Sequence, residues 1–412
     1  MKLGPRMLRL LVGIGFVLSL NCTTTLAEAT SLQLQPMSLS FPSAHIGYVL
    51  SLYDCASRTC AALRSTSNEA SSWNVVPTPN QLNRDLRLIS WGKYGAEYSY
   101  STINVHFANA KDGWIYGSVP VRSSHNTTNP NWVNRLWSTH DGGKTWRQIR
   151  LGPLSITAGV FQMATHGAWS YLFGGSYDNG RAYVLATHSN EDEWTSDSKQ
   201  PMYMPAGGTQ LEGAFSFVGT DGWFVAGNDR GFTESSRLSE DGPWRKWSSP
   251  SFEHFGASFS PITAVSRNIL IAVGQSAGFV IPPASSVPPN WNNSASWLFI
   301  SYDAGATFKP FRELSSSYQR GYYAVSGLPA APVPGTIILQ RFTNSGGQMV
   351  RSTNWGRTWQ VVLNNSVSQV EFISRSFGFA IVQRGTTLTD SSLVQSGDAG
   401  GRWREVSIGV GR

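Results

Sequence analysis

An eight-residue pattern recurs along the chain. Its clearest copy is THDGGKTW at 139–146: a Ser or Thr, Asp two positions later, Gly two positions after that, and Thr-Trp at the end. Near-complete copies are SYDAGATF at 301–308, STNWGRTW at 352–359 and SGDAGGRW at 396–403, and worn copies lie at 66–73, 187–194 and 239–244. A motif that recurs through a whole chain indicates a repeat architecture rather than an isolated turn or a metal loop.

A second repeated feature precedes each copy. It consists of an apolar strand, a short polar turn that usually contains glycine, and another apolar strand, as in VHFANAKDGWIYGS and FSFVGTDGWFVAG. This pattern is typical of a β-hairpin. With the two strands that flank the eight-residue motif, each unit supplies four strands. The 41 Gly and 21 Pro residues indicate many turns, and together these features predict an all-β chain.

The eight-residue motif resembles the Asp-box, or BNR, repeat of sialidase-like β-propellers. Seven such units predict a single seven-bladed β-propeller of four-stranded antiparallel blades over residues 32–412. The Asp or Asn and the Ser or Thr are expected to bond backbone N–H groups of a tight turn, which is a structural role. The residues expected in that role are Asp141, Asp303, Asn354, Asp398, Asp241 and Asn68. The repeat style is also similar to that of the photosystem II stability/assembly factors, which are exported assembly helpers.

The first 29 residues have the pattern of a secretory signal peptide. A basic start is followed by the apolar stretch LLVGIGFVLSL at 10–20 and by AEA at 27–29, which predicts cleavage after Ala29. The apolar stretch is too short to span a bilayer stably. We therefore expect a secreted or periplasmic protein without a stable membrane span. Two alternatives stay open: an uncleaved anchor, and lipid attachment at Cys22.

Two cysteines remain after such a cleavage, Cys55 and Cys60. Their spacing in an exported chain predicts one disulfide across a hairpin. A Cys-x4-Cys pair without a nearby His pair is a weak metal signal, and the seven histidines lack metal-ligand spacing. We expect neither a metal nor a cofactor.

Candidate binding residues lie in the longest connections. Loops on the face opposite the Asp-boxes are extended at 78–99, 120–136 and 281–297. Aromatic and amide side chains there suit a glycan or peptide, and arginines suit carboxylate or phosphate groups. The alternative is that the tryptophans pack the loops onto the propeller. The candidates are Trp132, Trp291, Trp91, Tyr94, Arg84, Arg87, Arg122 and Arg135.

Three function classes follow. The favoured one is an exported, monomeric, non-catalytic propeller that binds a protein, peptide or glycan on the box-free face. The second is a glycosidase of sialidase type, disfavoured because the chain has no Arg-Ile-Pro-type motif and no pair of carboxylates at recognisable spacing. The third is an assembly or scaffold factor for an envelope or membrane complex. A nucleic-acid role is not expected, because the net charge of +7 includes no basic run.

Overall fold

The computed structural model describes residues 33–91, 103–121, 131–150, 161–176, 181–196, 202–203, 211–228, 231–238, 245–247, 257–259, 262–276, 296–315, 322–323, 329–343, 346–384 and 390–409. The chain separates into Met1–Ser31 and one compact unit, Leu32–Arg412, to which all described residues belong. The predicted signal peptide therefore lies outside the described residues. Within the described ranges, no helix combines the length and apolar character needed to cross a bilayer.

The strands form antiparallel sheets, each from a continuous part of the chain. The first half of the chain contains β1 Gln35–Ser40, β2 Gly47–Asp54, β3 Thr59–Thr66 and β4 Asn74–Val76, then helix α1 Asn80–Leu86, then β5 Ile103–Phe107, β6 Gly113–Val121, β7 Asn131–Thr139 and β8 Arg147–Ile149, and then β9 Phe161–His166, β10 Trp169–Ser176, β11 Arg181–His188, β12 Thr195–Ser196 and β13 Met202–Tyr203. The sheet orders are β1-β2-β3-β4, β5-β6-β7-β8 and β9-β10-β11-β12, with β13 also on β11.

The second half of the described chain continues this arrangement. It contains β14 Leu211–Val218, β15 Asp221–Asn228, β16 Gly231–Leu238 and β17 Arg245–Trp247; β18 Ala257–Phe259, β19 Thr263–Ala264, β20 Leu270–Ser276, β21 Ser296–Ser301 and β22 Lys309–Ser315; β23 Tyr322–Tyr323, β24 Ile337–Thr343, β25 Gly346–Ser352 and β26 Gln360–Leu363; and β27 Ser366–Phe372, β28 Gly378–Gln383, β29 Ser391–Ser396 and β30 Arg404–Val406. The sheet orders are β14-β15-β16-β17, β18-β20-β21-β22 with β19 also on β20, β23-β24-β25-β26 and β27-β28-β29-β30.

The chain is an all-β propeller, but the predicted fold class, a single seven-bladed propeller of four-stranded antiparallel blades, is wrong. Two of the described sheets have five strands. The two-residue β12 covers only part of the eight-residue β11, so β13 pairs with Arg181 and Ala182 at the other end. The inner edge of β20 is likewise shared by β18 and β19. In both cases a short strand leaves some backbone N–H and C=O groups of its longer neighbour unpaired, and a second short strand pairs with those groups.

The first and last sheets meet to close the ring. No strand is shared between these two sheets, which come from opposite ends of the described chain. Their inner strands β1 and β27 are joined by side chains instead: Gln369 accepts a hydrogen bond from the Leu39 backbone N–H at 2.9 Å and donates to the Leu39 carbonyl at 2.8 Å. Ser391 donates its hydroxyl to the Pro36 carbonyl at 2.6 Å. These bonds hold together parts of the chain that lie more than 300 residues apart.

Stacked aromatic rings join neighbouring sheets. Phe107 ends β5, lies against Gly113 of β6 and stacks on Tyr48 of the preceding sheet, with ring centroids 3.4 Å apart. Phe41 lies against Gly47 and stacks on Phe379 in the same way. A Cβ atom at either glycine would overlap the phenylalanine ring. The glycine that follows the polar turn is therefore needed because an aromatic ring occupies its side-chain space.

The repeated eight-residue motif forms a hydrogen-bonded turn between the third and fourth strands of a sheet. At 139–146, the Thr139 hydroxyl donates to Asp141 Oδ1 at 2.8 Å and accepts from the Gly143 N–H at 2.9 Å. Asp141 also accepts from the Thr145 N–H at 2.9 Å and the Thr145 hydroxyl at 2.6 Å. Gly143 has a φ of +88°, a conformation that favours glycine. The turn is fixed almost entirely by its own eight residues.

Equivalent bonds recur at the other described copies. Asp303 accepts from the Thr307 N–H, Asn354 from the Thr358 N–H, Asp398 from the Arg402 N–H and Asn68 from the Ser72 N–H. Asp241 lies outside the described residues. At 187–194, where the chain keeps only the Thr and the Trp, the Thr187 hydroxyl donates to the Glu191 carbonyl instead.

Replacing Asp141 with alanine should lower the free energy of unfolding by about 1–2 kcal/mol, because it removes hydrogen bonds that hold the turn. The chain supplies a matched control, since Asn354 makes the same backbone bond and also donates from Nδ2 to the Thr358 hydroxyl. Asp141→Asn should therefore stay close to the wild type. Urea-unfolding midpoints of the three proteins measure this. Equal midpoints for wild type and Asp141→Ala would contradict a stabilising role.

The same hydrogen bonds lower the pKa of Asp141 to about 2, with the bonds from Thr145 as the largest cause. The carboxylate is thus favoured in the folded state. Its stabilising effect is present above the pKa of an ordinary aspartate and is lost as pH falls toward 2.

Candidate functional site

Helix α1 is docked on the β2–β3 hairpin, on the face opposite the repeated turns. Leu82 and Leu86 are fully buried in the core below. Asn83 Oδ1 accepts a hydrogen bond from the Ala61 N–H at 2.7 Å, which ties the helix to β3. After the helix, the Thr59 N–H donates to the Ile89 carbonyl and the Trp91 N–H to the Ser57 carbonyl. The helix and the hairpin thus form one fixed surface.

The predicted disulfide is confirmed within this surface. Cys55 and Cys60 are bonded across the β2–β3 turn, with Cα atoms 5.9 Å apart. The Arg87 Nε–H points at Cys60 Sγ, 3.4 Å away. The disulfide closes the turn that carries Arg58, and it also restricts the conformations of this segment in the unfolded chain.

Three arginines are exposed on this surface: Arg58 in the turn, and Arg84 and Arg87 at the end of α1. We call them the arginine patch. Arg84 and Arg87 are three positions apart, so their side chains lie on the same side of the helix. None of the three forms an ion pair with another described residue. Asp54 is the exposed carboxylate of the same turn, so three guanidinium groups outnumber it and the surface keeps a net positive charge.

The nearest helix carboxyl is turned inward. Asp85 is buried, and one of its oxygens is bonded by the Gln81 amide. Burial raises the pKa of Asp85, while the Gln81 bond and the charges of Arg135 and Arg84 act in the opposite direction. Because Asp85 is directed into the protein, it leaves the outward charge of the patch positive.

The other predicted binding residues are distributed differently. Trp91 and Trp132 are half-buried and pack against the core cluster below the helix. Arg135, on β7, is half-buried, and its Nε makes no hydrogen bond with a described residue. The remaining candidates Trp291, Tyr94 and Arg122 lie outside the described residues. The structure thus brings Arg84 and Arg87 together at the surface and places the two described tryptophans against the core.

Sequence reasoning missed Arg58. Its position between Cys55 and Cys60 was a usable signal. The disulfide-closed turn holds Arg58 on the same face as residues 78–91, which pack on that turn. The docking of 78–91 on the hairpin was not apparent, since the stretch was treated as a link. Leu82 and Leu86, four positions apart, mark the buried side of a helix there.

A cavity of about 830 Å³ lies inside the propeller. Its walls come from the inner strands β1, β5, β9, β14, β19 and β27 and from residues 329–332. Glu371 of β27 lines it, and its Oε1 accepts a hydrogen bond from the Phe41 N–H at 3.1 Å. Burial raises the pKa of Glu371 to about 8, with that bond acting in the opposite direction. Among the described residues, no three His, Cys, Asp or Glu side chains are grouped closely enough to hold a metal ion.

Comparison with known proteins supports the fold. No protein-family model matches the sequence, and no curated protein matches it. YCF48 bound to a D1 peptide is similar in structure, with a TM-score of 0.52 and 16% identity over 89% of this chain and 95% of that one. The propeller domain of the Trilobed protease from Pyrococcus furiosus gives a TM-score of 0.50 and 8% identity over 91% and 98%. The polysaccharide lyase PL25 ulvan lyase gives 0.52 and 10% over 92% and 96%.

At these identities the comparisons establish the architecture alone. The chain is a β-propeller, as its sheets and inner cavity also indicate. Proteins of this fold include binding proteins and enzymes, so the function must be argued from the residues of this chain.

Proposed function

We propose that the protein is a non-catalytic binding propeller that recognises an acidic segment of a partner protein on the face opposite the repeated turns. The observation that carries this proposal is the arginine patch. Three exposed guanidinium groups lie on a helix and a disulfide-closed turn that are fixed to each other by backbone and side-chain hydrogen bonds.

The chemistry of arginine favours this class of partner. Guanidinium groups bind carboxylates through two parallel hydrogen bonds and are more weakly hydrated than ammonium groups. The rigid backbone below the patch reduces the entropy lost on binding. A protein segment rich in Asp or Glu therefore matches the patch in both charge and geometry.

Two further points support a protein partner. The structural neighbour YCF48 was solved with a bound D1 peptide, so a propeller of this architecture can hold a peptide. Of the tryptophans that a glycan site would use, the two that the structure describes, Trp91 and Trp132, are half-buried against the core. Under this proposal the function is recognition, and the protein serves as an assembly or docking factor rather than as a glycosidase.

The proposal also includes the location and the turn family. We place the protein outside the cytoplasm, because the first 29 residues have the pattern of a cleaved signal and a disulfide suits an oxidising compartment. We assign the repeated turns to the Asp-box type, since the side-chain bonds of Asp141, Asp303, Asn354 and Asp398 all close the same eight-residue turn.

Reversal of charge at the patch should weaken the binding of acidic peptides. We expect the double variant Arg84→Glu/Arg87→Glu to lose at least about tenfold in affinity, because like charges then face each other. The measurement is fluorescence anisotropy with a labelled peptide rich in Asp and Glu, at low and at physiological salt. Affinity of the wild type should fall as salt rises, as expected for exposed charges.

Arg375→Glu is the matched control. Arg375 is also an exposed arginine, but it lies in the β27–β28 turn on the face of the repeated turns. The substitution Arg375→Glu changes the net charge by the same amount as each substitution in the patch, but at a site distant from the patch. An equal loss from Arg375→Glu and from the single variant Arg87→Glu, which change the net charge by the same amount, would mean that net charge alone attracts the peptide, and it would contradict a specific site. Binding to glycans in an array but not to acidic peptides would replace the protein partner with a glycan.

A further inference from the structure

The inner cavity has the volume of a ligand site. Its volume of about 830 Å³ is within the range of small-molecule pockets. Much of the wall is apolar, and it includes Met163, Phe215, Phe217 and Val370. Phe215 and Phe217 lie near each other, with ring centroids 6.2 Å apart. The cavity therefore offers an apolar and aromatic lining to a bound group.

Several polar groups of the wall are already used to join neighbouring inner strands. The hydroxyls of Ser38, Ser40 and Ser216 accept hydrogen bonds from backbone N–H groups on the inner strand of the next sheet. Both polar atoms of the Gln369 amide bind the backbone of Leu39. These side chains stabilise the ring and have limited capacity for a ligand.

Glu371 differs from them. One carboxyl oxygen is held by the Phe41 N–H, and the other accepts no hydrogen bond from a described residue. Among the described residues that line the cavity there is no Lys, Arg or Asp. The titratable groups that face the same space are His106 and Tyr116. Burial lowers the pKa of His106 to about 4, so its ring is neutral at neutral pH and supplies no counter-charge.

We propose that this cavity binds an organic cation, an ammonium or guanidinium group on an apolar stem, with Glu371 as its counter-ion. This site is separate from the arginine patch and does not depend on the function proposed for that patch. It would take either a free small amine or the side chain of a lysine or arginine from a partner.

The chemistry of the wall fits both parts of such a ligand. An ammonium or guanidinium group has N–H donors for the second oxygen of Glu371, and a charged pair of this kind is stronger than a neutral hydrogen bond. Met163, Phe215 and Phe217 line the same cavity while packing against neighbouring side chains, and they give an apolar stem a surface to contact. A divalent metal fits less well, because it needs several oxygen ligands and Glu371 is the only carboxylate among the described lining residues.

Binding should be coupled to a proton. The raised pKa of Glu371 keeps its carboxyl largely neutral near pH 7. A cation favours the charged form, so its binding should release a proton from Glu371. Affinity should therefore rise as pH increases from about 6 to about 9.

Isothermal titration calorimetry tests the proposal. The free ligands are n-butylamine and n-butylguanidine, and n-butanol is the neutral control of the same length. A short Gly-Ser peptide with one central lysine, and its norleucine counterpart, test a side chain as the source. We expect cations to bind more tightly than their neutral counterparts by at least about tenfold, with proton release measured from buffers of different ionisation enthalpy.

Glu371→Gln keeps the shape of the neutral carboxyl and should weaken cation binding by at least about tenfold. Glu313→Gln is the control, because it removes a carboxyl from the outer strand β22. Ala164→Phe adds a ring to the cavity wall at β9 without changing Glu371, and it should also weaken binding. Binding by free amines alone, by the lysine peptide alone, or by both supports the proposal and identifies the source. No cation binding, or equal binding to wild type and Glu371→Gln, would overturn it.

Discussion

Replacing Phe107 with alanine should lower the free energy of unfolding by about 3–5 kcal/mol, the cost of removing a large ring from a packed core. Phe107 is 2% exposed. Its ring stacks on Tyr48 in the preceding sheet, meets Trp146 edge-on at 6.3 Å between centroids and fills the space beside Gly113. The substitution therefore opens a cavity at the contact between two sheets. Urea-unfolding midpoints at constant pH would measure the loss.

Phe311→Ala is the control for this prediction. Phe311 is also a phenylalanine in a strand, but it is 37% exposed on β22. We expect a change within about 0.5 kcal/mol, as is usual for surface substitutions. If Phe107→Ala and Phe311→Ala had the same effect, the ring at the end of β5 would not be part of the contact between sheets. A propeller depends on such contacts, because each sheet packs only against its neighbours.

The features predictable from the sequence are those whose partners lie close along the chain. The turn at 139–146 is an example: Thr139, Asp141, Gly143 and Thr145 supply both the donors and the acceptors. The disulfide of Cys55 and Cys60 is another, since five positions separate them. These elements could be predicted because the interactions that form them are contained in one short stretch.

The strand content of each sheet could not be predicted in this way. A repeat pattern gives the average unit, and it led to the expectation of uniform four-stranded blades. Whether a long strand such as β11 pairs with one outer strand or with two depends on how far the short strands extend. That length is decided by packing around each sheet and not by the motif.

The candidate sites divide along the same line. Arg84 and Arg87 could be chosen as candidates because they are charged and lie in a long connection, and both are exposed in the structure. The burial of Trp91 and Trp132 was not determined by their sequence context, since the core that covers them comes from several strands. The environment of Glu371 could not be predicted from the sequence either, because its hydrogen-bond donor, the Phe41 N–H, is 330 positions away along the chain.

Glu371 should make the protein less stable as pH rises, and Glu371→Gln should remove that effect. In the folded state burial raises the pKa of this carboxyl to about 8, from the ordinary value of 4.5. Below pH 4.5 the group is protonated in both states and costs nothing. Between about pH 4.5 and pH 8 the unfolded chain releases the proton while the folded protein retains it, so the free energy of unfolding falls with increasing pH.

The size of this effect follows from the shift in pKa. One pKa unit corresponds to roughly 1.4 kcal/mol, so the loss across the interval is on the order of a few kcal/mol. Glutamine has no proton to lose, and its carbonyl oxygen can accept the same bond from the Phe41 N–H. Glu371→Gln should therefore match the wild type near pH 4.5 and exceed it in stability near pH 8.

Urea-unfolding midpoints from about pH 4.5 to pH 9 test this prediction, with Glu313→Gln as the control. The carboxylates of the repeated turns do not interfere, because their lowered pKa values place their effect below this interval. His140, whose pKa is raised by its bonds to Asp112 and Asp192 against the effect of burial, does contribute a loss of stability at higher pH. That loss is common to all three proteins, so it cancels in the differences between them. Parallel curves for wild type and Glu371→Gln would show that the carboxyl is charged in the folded protein, whereas a gap that widens with pH would place the proton on Glu371.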